Sequence, residues 1–396
     1  MNNMNKIVAA AWSAVVATAA VVAPVAAQQG VSDREIVIGA HLDLSGPVAA
    51  GMPPLRNGMQ MRIDEANEAG GVNGRRLRLI VEDNASQPAQ AVRAVQKLVR
   101  KDEVFAIINS FGSGTNAAGI KEAVSAGVVY FAPWAASSAM HAVSGKSPLV
   151  FTTVPNYDTT TAIGLSWALK TWGSKRVGVI YQEGPFGDLV RRGIKQAMDA
   201  AGLQPVAEAS YKPGDIDFSS QVARVRAAGA DLLVLATITR ETIGVMGEVK
   251  KLGWNDVRVL ANIPGRTQIV AALGKDAVEG LYGIGGWRLH YADNAPPAVK
   301  TWIESYRKRF NAMPDENAMN AYSYTDWFIK GVQAAGRNLT GDSFSKAMQS
   351  VPHEDFMTYR RLSFQNNHLA PEVVEIDQLK GGRWVSASPQ MTEMMK

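Results

Sequence analysis

VFAIINSFGSGTNAAGIKEAVSAGVVYFAP, residues Val104–Pro133, reads as strand, Gly/Ser loop, helix and strand. Val104–Ile108 is a short apolar run rich in branched residues, the composition of a strand buried on both faces. Gly112, Ser113 and Gly114 then lead into an Ala-rich helical segment, Asn116–Ala126, so the loop ends where unpaired helix N–H groups begin. Small side chains let a ligand approach that backbone, the helix dipole favours an anion there, and Ser113 and Thr115 add hydroxyls. The same features describe a plain strand-to-helix turn, so the rest of the chain has to choose between the two.

Working towards the N-terminus, Pro88–Lys101 reads as a helix with Ala91, Val92, Val95, Leu98 and Val99 on one face. Arg76–Glu82 and Glu35–Asp43 are strands, and Met52–Ala69 between them is helical, closed by Gly70-Gly71-Val72-Asn73-Gly74. This alternation predicts a parallel sheet with helices on both faces, in which ligands bind at the carboxyl ends of the strands. The loops at Leu44–Met52, Asn109–Thr115 and Ala132–Ser138 all fall at that edge.

The pattern restarts after Pro148. Strands are expected at Arg176–Tyr181, Gln204–Ser210, Leu232–Thr237 and Arg258–Ala261, with helices at Asp158–Thr171, Gly187–Ala201, Phe218–Ala228 and Arg240–Leu252. Leu281–Trp287 breaks the rhythm with glycines and aromatics. Helices follow at Pro296–Phe310, Asn317–Gly336 and Thr340–Ser350, then short strands and turns. Tyr324 and Trp327 on one of these helices are expected in the core.

A chain of 396 residues accommodates two such domains. Its net charge of +5 is spread over 41 basic and 36 acidic residues without a basic run, which argues against nucleic acid as a partner. The absence of cysteine excludes disulfides, thiolate metal sites, a cysteine nucleophile and lipid attachment through an N-terminal cysteine. Residues 1–27 carry Lys6, an apolar Ile7–Val22 and small residues Val25-Ala26-Ala27, the pattern of a cleaved secretory signal peptide rather than a membrane anchor. With nothing to tether the exported chain, the periplasm is the expected compartment.

Nothing in the sequence argues for catalysis. Gly145-Lys146-Ser147 lacks the earlier glycine of a P-loop, having Met140 there, and Phe111 spoils a nucleophile elbow at Gly112-Ser113-Gly114. The five histidines are scattered, and the pairs Asp64-Glu65 and Asp315-Glu316 are expected on solvated helix surfaces. No cofactor or metal site is implied.

LSGPVA at Leu44, ANEAGGVNGRRLRL from Ala66, VEDNASQPAQAV from Val81, the VFAIINSFGSGT loop and RVGVIYQEGPFGDLVRRG from Arg176, in this order, resemble the Leu/Ile/Val-type substrate-binding proteins of ABC importers. The likeness runs from about Glu35 to Val385. It implies two doubly wound, Rossmann-like α/β lobes joined by three hinge crossovers, at Thr152–Asn156, Tyr282–Arg288 and about Phe356–Leu362. Lobe I would comprise residues 34–152 and 287–356, and lobe II residues 153–286 and 357–396. Ligand would lie between them, with hinge closure around it.

The resemblance also implies site residues. The carboxylate-holding loop of the family matches Gly112, Ser113 and Thr115, and the loop after the next strand matches Trp134, Ala135 and Ala136, beside Ser137. An aromatic wall of the second lobe matches Phe186, and a ligand-facing strand end matches Thr237, Ile238 and Thr239. In amino-acid binders an acidic residue after a later strand holds the α-ammonium, whereas here that loop reads Ala261-Asn-Ile-Pro-Gly-Arg266. An unpaired buried ammonium costs several kcal/mol, which turns the expectation towards an amine-free aromatic or short aliphatic acid. Glu183 or Asp158 could replace the missing acid, although a solvated loop charge and a helix cap describe them equally well. Arg266 and Arg240 are the cationic candidates, each expected at the surface unless it faces the cleft and pairs with a ligand carboxylate. The implied partners are a small carboxylate and an ABC permease, the implied state a monomer. The alternatives are an amino-acid binder of the same family, a sensory ligand-binding module, or a hydrolase or lyase using the cleft.

Overall fold

The structure is a computed structural model and describes residues 28–355, 360–364 and 373–395. The signal-peptide reading of residues 1–27 lies outside the described residues. In chain order the first run is β1 (Glu35–Leu42), α1 (Met52–Glu68), β2 (Arg76–Asp83), α2 (Pro88–Arg100), β3 (Ala106–Ile108), α3 (Ser113–Ser125), β4 (Val129–Phe131), α4 (Met140–Val143) and β5 (Val150–Phe151). The second is α5 (Tyr157–Trp172), β6 (Val177–Gln182), α6 (Pro185–Ala200), β7 (Ala207–Tyr211), α7 (Ser219–Ala227), β8 (Leu232–Ala236), α8 (Thr239–Lys251), β9 (Arg258–Ala261), α9 (Gln268–Gly274) and β10 (Tyr282–Gly285). Then come α10 (Pro297–Phe310), α11 (Glu316–Ala335), α12 (Gly341–Met348), β11 (His353–Asp355), β12 (Arg360–Leu362), β13 (Glu375–Lys380) and β14 (Arg383–Ser386).

Two lobes result, each built on its own sheet. The first sheet has the order β2-β1-β3-β4-β5, all parallel. The second runs β14-β13-β10-β9-β8-β6-β7, parallel from β10 to β7, with β13 antiparallel to β10 and β14 antiparallel to β13. Both parallel portions share one winding, reversing direction at β1/β3 and at β6/β8, and such reversals open a crevice at the strands' carboxyl ends.

Strand alternation distributes the apolar residues to two faces of each sheet. Ile36, Ile38, Ala40 and Leu42 of β1 pack with Leu55, Met59 and Ile63 of α1 and Tyr324, Trp327 and Phe328 of α11. Val37 of β1, Ile107 and Tyr130 face Val95, Leu98 and Val99 of α2 and Ile120 of α3. In the second sheet Leu233, Leu235 and Val259 meet α7 and α8, while Leu232, Val234 and Leu260 meet α5 and α6. Tyr324 and Trp327 are core residues, as their spacing predicts.

The chain passes to the second sheet after β5 and leaves it after β10 for α10–α12, of which α11 packs on α1. Tyr282–Gly285, expected within the second crossover, is strand β10, so that link starts at Gly286. Residues 356–359 of the expected third crossover lie outside the described residues. Its remainder is β12, paired with β11, and Leu362 and Phe364 share an apolar cluster with Phe131, Phe151 and Trp327. The return to the second sheet therefore follows Phe364. Among the described residues no helix is long and apolar enough to cross a membrane.

Candidate functional site

The loop after β3 is shaped by its own backbone. Gly112 caps α3 with φ +95°, a region closed to side-chain residues, and an added Cβ would stand 2.6 Å from Oγ1 of Thr115. Gly112 N–H donates to the Trp134 carbonyl (3.1 Å) and Trp134 N–H to the Ser110 carbonyl (2.7 Å), which ties the loops after β3 and β4 side by side. Thr115 turns its hydroxyl onto the carbonyls of Phe111 and Gly112, so it fixes the loop instead of offering its proton outward. Ser113, at the first helical position, is partly exposed, and the N–H groups of this turn have no partner within the helix.

Trp134 is half-buried, with its ring 5.5 Å from Trp287 and 6.3 Å from Tyr324. Ala135 and Ala136 are buried beside it, and the Ala136 carbonyl accepts from Tyr157 N–H at the start of α5 (2.9 Å). Phe186 stands edge-on to Tyr157 at 5.1 Å. Thr237 is fully buried and its hydroxyl pairs with Thr242 (2.6 Å), which in turn donates to the Ile238 carbonyl. Ile238 and Thr239, half-buried at the start of α8, remain the accessible part of that segment. Replacing Trp134 or Phe186 with alanine is expected to weaken ligand binding by about 1–3 kcal/mol through lost apolar contact; calorimetric titration showing unchanged affinity in both variants would remove them from the pocket.

Of the two arginines, Arg240 lies at the surface as expected and Arg266 does not. Arg266 is only 1% exposed, not a surface residue. Its Nε donates to Asp377 (2.7 Å), Nη2 also reaches Asp377, and Nη1 donates to the Trp287 carbonyl (2.7 Å). Its side chain lies across Gly283 and Gly285, at each of which an added Cβ would collide with it. Arg266 thus braces β10 and β13, and its guanidinium is committed to Asp377 rather than to a ligand carboxylate. Arg240 is exposed and pairs with Glu241 (2.8 Å). Of the possible substitute acids, Asp158 accepts from Ser138 (2.7 Å) and pairs with Arg192 (3.2 Å), and Glu183 is exposed and accepts from Ser210 (2.9 Å).

Of Asp315-Glu316, expected on a solvated surface, Glu316 is buried and Asp315 is half-buried. Asp315 caps α11 by accepting from Asn317 and Ala318 N–H, and both oxygens of Glu316 lie 3.3 Å from Gln268 N, at the start of α9. Burial, reinforced by the charge of Asp315, pushes Glu316 up to about 8. Among the described residues, no group of three His, Cys, Asp or Glu side chains comes together to hold a metal ion.

Asn262 has no signature in the sequence, where it stands in the loop Ala261-Asn-Ile-Pro-Gly-Arg266 simply as a residue that is not a carboxylate. It follows β9 directly, is 2% exposed, and neither its Oδ1 nor its Nδ2 has a partner among the described residues. Thr153 Oγ1 and Trp287 Nε1, after β5 and β10, are buried and unpartnered in the same way. Their chain neighbours Val154 and Ile263, and Trp287 itself, belong to the same apolar cluster as Ala136, against which Trp134 packs. A buried polar group without a partner costs about 1–3 kcal/mol, and a bound polar molecule is one means of relieving it.

A sequence-family model described as periplasmic binding protein matches residues 35–383. The Leu/Ile/Val-binding protein BraC3 of Rhizobium johnstonii is 25% identical over 317 residues, covering 80% of this chain and 83% of that protein. A fatty acid ABC transporter substrate-binding protein from Thermomonospora curvata superposes with a TM-score of 0.80 at 24% identity, over 92% of this chain and 94% of that one. A solute-binding protein of an ABC transporter from R. palustris, solved in complex with benzoate, superposes with a TM-score of 0.77 at 18% identity, over 90% and 97% of the two chains.

Proposed function

The chain belongs to the periplasmic binding protein family, and on that premise we propose that it captures a small amine-free carboxylate between its lobes and delivers it to an ABC import permease in the periplasm. Asn262 carries this reading. An amide stands where an ammonium would require a carboxylate, and both its polar atoms are buried without a protein partner. The amide complements a hydroxyl group, which can donate and accept at once.

In this reading the ligand carboxylate lies over the N–H groups of Ser113 and Gly114, Trp134 and Phe186 form flat walls, and Ile238 and Thr239 close the far side. The solved relative holding benzoate and the one named for fatty acids fit such a ligand. The lobe limits are those expected from the sequence, with the last moved beyond Phe364. The amino-acid alternative draws on the relative named for Leu, Ile and Val. It would need a counter-charge that Asp158, already paired with Arg192, and exposed Glu183 are poorly placed to supply.

A thermal-shift screen tests the proposal. Benzoate, hydroxybenzoates or short fatty acids are expected to raise Tm, since ligand at about 100 times Kd adds roughly 2.7 kcal/mol to stability, while leucine leaves Tm unchanged. Asn262→Asp should strongly reduce the response to acids, because it would add a second buried negative charge to the cleft that holds the ligand carboxylate. A shift with leucine alone would overturn the ligand class.

A further inference from the structure

We propose that Asn84, His41, Tyr130 and Asn116 form a buried, directed chain of hydrogen bonds that positions the loop after β3 for its ligand. This rests on the reading that the loop contacts ligand. All four residues are fully buried, and they come from β1, β4, α3 and the turn after β2. Tyr130 donates to Asn116 Oδ1 (2.5 Å), so its oxygen accepts from His41 Nε2–H (2.8 Å), and His41 Nδ1 accepts from Asn84 Nδ2–H (2.9 Å). Each link thereby fixes the direction of the next, and such chains strengthen their members. Burial drives His41 down to about 3, which keeps the ring neutral and Nδ1 free to accept.

The chain ends on the loop. Asn116 Nδ2 donates to the carbonyls of Ser110 (2.8 Å) and Gly112 (2.7 Å), and Asn84 Nδ2 reaches the carbonyl of Phe111 (3.1 Å). Ser110 Oγ accepts from His41 N–H (2.9 Å), closing the ring onto β1. All three loop carbonyls are drawn back into the lobe. With these three carbonyls engaged, the N–H groups of Ser113 and Gly114 are the groups of the turn left for an anion. Thr115 Oγ1 and the N–H groups of Trp134 and Asn116 also bond these carbonyls, and the chain adds to each a further bond from inside the lobe that an apolar set of side chains could not supply.

Hydrogen exchange of the ligand-free protein, combined with titration of benzoate, tests the assignment. In Tyr130→Phe, which removes one hydroxyl and keeps the ring, the Gly112 and Asn116 amides should exchange about tenfold faster, with β8 amides unchanged, and benzoate affinity should fall about five- to tenfold, the size of one net hydrogen bond. His41→Gln, whose amide can donate to Tyr130, should behave like the parent, and His41→Leu like Tyr130→Phe. Uniformly faster exchange in both lobes, or failure of His41→Gln to restore the loop, would overturn the positioning role. Gly112→Val separates the two ideas. If it abolishes benzoate binding while Tyr130→Phe leaves affinity unaltered, the chain does not position the site. If Gly112→Val itself leaves benzoate affinity unaltered, the loop is not the ligand contact.

Discussion

Replacing Arg266 with methionine is expected to lower the unfolding free energy by about 3–5 kcal/mol, because it leaves Asp377 buried without its partner. Arg266 and Asp377 are 1% and 4% exposed, so water cannot take over the lost bonds. The guanidinium also holds the Trp287 carbonyl, and its stem fills the space above Gly283 and Gly285. A double variant, Arg266→Met with Asp377→Leu, should recover much of the loss, since an apolar pair needs no counter-charge. Urea denaturation checks both. A single variant within about 0.5 kcal/mol of the parent, the range of ordinary surface changes, would show that the pair contributes little.

Raising the pH from about 5 to 9 is expected to destabilise the protein through Glu316. Its native pKa, about 8, lies above the value of about 4.3 for a free glutamate, so between these the folded state binds the extra proton. Stabilisation is complete below the unfolded pKa and is lost as the pH rises through the native one. Asp315 is pushed up as well, chiefly by burial, and adds to the same slope. Gln268 N–H and Arg266 pull Glu316 the other way but do not offset its burial. Glu316→Gln, which keeps an acceptor for Gln268, should flatten the fall of Tm with pH by an amount equivalent to a few kcal/mol. An unchanged profile in that variant would assign the pH dependence elsewhere.

Much of the architecture was legible because branched apolar runs and 3.6-residue spacing survive in the linear chain. Arg258–Ala261 is legible to the residue, and α2 differs in ending at Arg100 rather than Lys101 and in burying Ala94 rather than Val92. β10 was missed because Gly283 and Gly285 resemble loop residues, yet their spacing of two is that of one strand face cleared for Arg266. That pairing joins residues far apart in sequence and has no local signature. Site residues were legible by position but not by orientation. The hydroxyls of Thr115 and Thr237 turn towards protein groups, and Asn262 stands out only once its burial and lack of partners are known. Asp315-Glu316 carries the composition of a solvated helix start, and only the approach of α9 removes it from water.

The interleaving of the two sheets bears on how such a chain is made. Helices α11 and α12, which pack on the first sheet, are synthesised after the second sheet has begun, and β13, which seals the edge of β10, comes later still. Neither half can complete its core as it emerges, so contacts of long sequence separation must form last and folding is correspondingly slow. A polypeptide threaded across a membrane has to stay unfolded until it is through. In a chain exported as proposed, this wiring would defer completion of either core until α11, α12 and β13 have emerged.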